Sequence, residues 1–122
     1  MTLTVARTGV TLGRSVDRAA NRWRRMKGLL GRPSVEPGAG LIIEPCHAVH
    51  TWFMRCEIDV VFLDKDGTVV RVFSNLRPFH CAQGGPQAHS AVELRGGTAA
   101  SGGVTVGDRL VRSGTGDSVD EE

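Results

Sequence analysis

With 122 residues, 40% of them hydrophobic and 23% charged, the chain has the size and composition of one globular domain that buries roughly two thirds of its unfolded surface. No run approaches the ~20 apolar residues of a membrane span. The first residues lack the charged-then-apolar order of a signal peptide, so a cytoplasmic protein is expected. In that compartment the three cysteines read as thiols, and a Cys46–Cys81 bridge would need an oxidising one.

Thr2 to Leu12 alternates loosely and is rich in threonine and valine, which predicts an opening strand ending at Gly13. Ser15 or Asp17 then caps a predicted amphipathic helix to about Leu30. Its apolar face is Val16, Ala19, Ala20, Trp23, Met26 and Leu30, and Gly31 and Pro33 stop it. Gly40 to Glu44 reads as a short buried strand and His47 to Arg55 as an extended segment. Ile58 to Leu63, with four successive apolar residues from Val60, reads as a central strand buried on both faces. Asp64-Lys65-Asp66-Gly67 is a turn signal and Thr68 to Phe73 the returning strand. The same Asp-x-Asp-Gly lacks the further ligands of a calcium loop.

Ser74 to Ser90 reads as a long polar loop, and Ala91 to Arg95 as a strand. Thr98 to Ser101 suits one helical turn between glycine pairs, and Val104–Val106 with Leu110–Val111 suit a final hairpin. From Gly114 the chain is glycine, serine and acid with nothing to bury. Residues 1–113 are therefore expected to form a single domain and 114–122 a disordered acidic tail. The predicted fold class is mainly β (α+β), a single compact sandwich- or barrel-like domain with one amphipathic helix.

Three stretches are similar to a known family: His50-Thr51-Trp52-Phe53-Met54-Arg55, then Ile58 to Asp64, then Asp66-Gly67. Met26 to Arg32, Asn75 to Phe79, Val92-Glu93-Leu94 and Val106 to Leu110 continue the match. On these residues the chain resembles the domain of unknown function 192 family. The resemblance implies a small, mainly β fold with one helix. It brings no agreed activity, cofactor or partner.

The chemistry concentrates around the central run. In an extended segment His50, Trp52 and Met54 share one face, with Thr51, Phe53 and Arg55 on the other. A histidine at the edge of a Trp/Met surface has the makeup of a shallow apolar pocket with one polar handle. Phe79 and His80 of the long loop are expected beside it, Thr51 within the segment, and Asp59 in the adjoining strand. Asp59 stands between apolar neighbours, where a charge needs hydrogen bonds or a counter-ion, so a structural role outweighs a functional one. The expected ligand-binding residues are thus His50, Thr51, Trp52, Met54, Asp59, Phe79 and His80, with no catalytic residue, no metal and no cofactor.

A soft-metal set of Cys46, His50, His80 and Cys81 is the alternative, weakened by the lack of a Cys-x-x-Cys. The leading expectation is a non-enzymatic binding or accessory module for an unknown small molecule or protein. A metal- or thiol-dependent hydrolase using Cys46, His50, Asp59 and Cys81 comes second. Seven bases between Arg14 and Arg32 face Asp17 alone, and Arg14, Arg18, Arg22 and Arg25 recur at helical steps. That stripe suits an anionic surface, but no aromatic platform for reading bases accompanies it, which disfavours nucleic acid.

Overall fold

The computed structural model describes residues 1–19, 35–51 and 54–114. In chain order the strands are β1 (Thr2–Val5), β2 (Thr11–Gly13), β3 (Ser15–Ala19), β4 (Ala39–Ile43), β5 (Ala48–His50), β6 (Ile58–Leu63), β7 (Val69–Leu76), β8 (Cys81–Gln83), β9 (Ser90–Arg95) and β10 (Leu110–Ser113). One short helix, α1 (Thr98–Ser101), follows β9 among the described residues.

Alternation along the strands dictates the layers. In β6, Ile58, Val60 and Phe62 join one apolar cluster while Val61 and Leu63 join the other. A strand buried on both sides needs a layer over each face. The sheet containing it runs β3-β4-β9-β6-β7, antiparallel except for the parallel β3–β4 pair. One face packs on the three-stranded sheet β10-β1-β2 through Leu3, Val5, Leu12 and Leu110. The other packs on the two-stranded ribbon β5–β8 through Val49 and Ala82, with Met54 and Ala88. The result is a mainly β stack without a closed barrel, with Phe62 meeting Phe73 edge-on at a ring-centroid distance of 6.0 Å.

The Asp64–Gly67 turn forms as its residues predict. Asp64 Oδ1 accepts from the N–H groups of Asp66 and Thr68, and Gly67 takes φ +85°. The predicted strands at 58–63, 91–95 and 40–44 are also present, within a residue or two.

Four expectations give way. The opening strand folds back on itself at Ala6–Val10 to make β1 and β2, closed by Gly9 N–H donating to Val5 O at 2.8 Å. The predicted helix does not begin at Ser15 or Asp17, because Ser15–Ala19 pairs in parallel with Ala39–Ile43 and buries only Val16 of its described side chains. Arg18 consequently pairs with Glu44 at 3.2 Å instead of joining a helical stripe. The rest of that helix and most of its bases lie outside the described residues. The final hairpin is absent: Leu110–Ser113 pairs with β1 instead. The long polar loop holds order as well, since β7 extends to Leu76 and β8 occupies Cys81–Gln83.

Candidate binding surface

Thr51 organises the region the sequence singled out. It is 0% exposed, at the end of β5, and each of its polar groups is used. Its N–H donates to His80 O at 2.8 Å, and its carbonyl accepts from Phe79 N–H at 3.0 Å and Met54 N–H at 3.2 Å. Its hydroxyl donates to Arg77 O and accepts from His80 N–H at 3.0 Å. Burying these groups is tolerable only because all are paired. The net effect ties the Arg77–His80 loop to the end of the ribbon.

The loop is held in an uncommon conformation. Phe79 has φ +64° and Asn75 φ +53°, the left-handed region that side chains other than glycine seldom occupy. Phe79 is nevertheless 68% exposed, so it stands out from the loop rather than filling the core. His80 Nδ1 donates back to Pro78 O at 2.8 Å, fixing that ring beside it.

Of the predicted common face of His50, Trp52 and Met54, the two described members differ in burial. His50 is exposed, whereas Met54 is 3% exposed within the ribbon-side core. Met54 N–H bonds to Thr51 O, a contact three residues apart that two members of one extended strand do not make. Trp52 lies outside the described residues.

Asp59 is 0% exposed, and its carboxylate is surrounded by backbone donors: Asn75 N–H at 2.8 Å and Gly97 N–H at 3.1 Å on Oδ1, Ala99 N–H at 2.7 Å on Oδ2. It lies on the face opposite the ribbon, away from Thr51 and Met54. The structure therefore brings together His50, Thr51, Phe79 and His80 and separates Asp59 from them.

The four soft-metal candidates divide likewise. Cys46 is buried and donates to Ala48 O at 3.2 Å, while His50, His80 and Cys81 are exposed. All three cysteines are free thiols. Burial pushes the Cys56 thiol above its ordinary value, against a smaller opposing effect of its backbone hydrogen bond to Val35. Among the described residues no three His, Cys, Asp or Glu side chains converge to hold a metal ion, and no helix is long and apolar enough to cross a membrane.

Two features had not been singled out in the sequence. A cleft of about 430 Å³ opens between His47, His89, Gln87 and the Asp64–Asp66 turn. Glu93 is 2% exposed, opposite Val60 in register and directed to the ribbon side. Its place among Ala91, Val92 and Leu94 was the available signal, but an alternating strand reading puts such an acid in solvent.

The fold and this surface define a small, mainly β single-domain protein. The chain belongs to the family described as Uncharacterized ACR (DUF192), whose model matches residues 3–112. Among solved structures, a protein of unknown function from Novosphingobium aromaticivorans DSM 12444 is similar at 22% identity and a TM-score of 0.75. That match covers 92% of this chain and 84% of the other. A candidate transcription regulator from Sinorhizobium meliloti 1021 is similar at 25% identity and a TM-score of 0.74, covering 90% and 89%. No curated protein matches the chain.

Proposed function

We propose that this chain is a non-enzymatic binding module that docks a partner protein through Phe79 and the solvent face of the β5–β8 ribbon. Small-molecule sites are concave, whereas an aromatic ring standing mostly in solvent is a knob that suits a pocket on another protein. The single observation carrying this reading is Phe79: a large apolar side chain, 68% exposed, presented on backbone with φ +64°. A left-handed phenylalanine costs about 1–2 kcal/mol, and such strain concentrates where a side chain has a task outside the fold. The hydrogen bonds from Thr51 to the loop support the reading, because a pre-ordered anchor loses less entropy on docking.

A photo-crosslinking amino acid placed at position 79 in producing cells tests it. One discrete protein adduct is expected, absent when the same probe replaces the exposed Arg109. Adducts that are missing, or that match those from position 109, would refute the docking role. Phe79→Ala should change the unfolding free energy by no more than about 0.5 kcal/mol, as exposed positions do.

A further inference from the structure

A second arrangement lies on the same solvent face of the ribbon, and the observations behind it do not involve Phe79. His50 and Cys81 are directly opposite each other across β5–β8. Opposed residues in an antiparallel pair project to the same side, with Cβ atoms about 4.5–5.5 Å apart. The adjacent pair, Val49 and Ala82, is buried, so His50 and Cys81 face solvent, where both are exposed. The ribbon thus sets an imidazole and a free thiol side by side, although they are 31 positions apart in the chain.

We propose that His50 and Cys81 form a two-coordinate site for a soft monovalent cation of the copper(I) or silver(I) class. The donor types carry the first part of the argument: thiolate sulfur selects soft ions, and imidazole nitrogen accompanies it in copper sites. Ligand number carries the second. With no three metal-ligating side chains converging among the described residues, tetrahedral zinc lacks its set, while a two-coordinate ion needs only this pair.

Span carries the third. With zinc's bond lengths of about 2.0 Å to nitrogen and 2.3 Å to sulfur as a guide, an ion in line between the donors holds them roughly 4 Å apart. Side chains rising from neighbouring Cβ atoms reach that separation by tilting toward each other. The ion replaces the thiol hydrogen, so each binding event forms one sulfur–metal bond and releases one proton.

Silver(I) titrated into the full chain in chloride-free buffer tests the site, with Cys46 and Cys56 left in place. One equivalent should bind with release of one proton and shift the His50 ring nitrogen resonances. Cys81→Ser should abolish that equivalent, and His50→Gln should weaken it by about tenfold or more. Phe79→Ala should leave it unchanged. Binding retained in Cys81→Ser would assign the ion to another thiol. Undiminished affinity in His50→Gln, or unmoved His50 resonances, would reduce the site to a lone cysteine. Any of these results overturns the proposal.

Discussion

Asp59 shows what a buried charge does when backbone donors enclose it. Its two oxygens gather N–H groups from Asn75 at the end of β7 and from Gly97 and Ala99 at the start of α1, pinning two elements to β6. Asp59→Asn keeps the shape but turns an amide N–H₂ toward at least one donor. It should cost roughly 3 kcal/mol in urea unfolding, because hydrogen bonds to a charged acceptor are among the stronger ones. Gly84 makes a steric case. A Cβ there would lie 2.5 Å from both Ala88 Cβ and the Phe62 ring. Gly84→Ala is expected to destabilise by about 1–3 kcal/mol in the same assay, the usual range for overpacking a core.

Among the elements, the ribbon and its loop depend on one hydroxyl. Thr51→Val preserves volume but leaves His80 N–H without the acceptor it uses and Arg77 O without its donor. A loss of about 1–3 kcal/mol is expected, with faster amide hydrogen exchange at Phe79 and His80 than elsewhere in the chain. The crosslinking yield at position 79 should fall with it.

This is also the scale at which the sequence was most and least legible. Ile58–Leu63 and the Asp64–Gly67 turn could be read because a fully apolar run and a turn tetrapeptide each have few interpretations. Ser15–Ala19 could not, since Val16 and Ala19 fit a helical face as well as a strand. Only the parallel partner at Ala39–Ile43 decides between them, and that pairing is non-local. Leu110–Val111 reads as a strand, but in a local hairpin, and its actual pairing with β1 joins distant parts of the chain. Thr51 at the site and Asp59 on the opposite face of β6 both announced themselves as polar residues beside an apolar run. His50 and Cys81 were grouped by residue type in the soft-metal set, but their direct opposition could not be read, because only the β5–β8 register creates it.

At the level of the whole molecule, ion pairs tie the three-stranded sheet to its surroundings. Arg112 of β10 grips Glu44, just after β4, through two hydrogen bonds of 2.9 and 2.8 Å. Hydrogen bonding from Arg112 holds the Glu44 carboxyl below its ordinary value, against the opposing effect of burial. Arg7 and the Thr105 backbone hold Asp108 well below the usual carboxylate range in the same way. Both groups bind protons less readily folded than unfolded, where carboxyls titrate near ~4. Their stabilisation is therefore full above that value and drains away as pH falls through it toward the lower folded values. Thermal unfolding should show Tm dropping between pH 6 and pH 3, with a shallower drop in Glu44→Gln.

Strand β6 is enclosed more completely than any of these features, with β9 along one edge, β7 along the other, and an apolar cluster against each face. Deuterium has no local route to the amides of Val60–Phe62, so those protons should trade with solvent only when the whole fold opens. Their exchange rate then becomes an internal gauge of total stability, quickening about tenfold for every ~1.4 kcal/mol that a substitution removes.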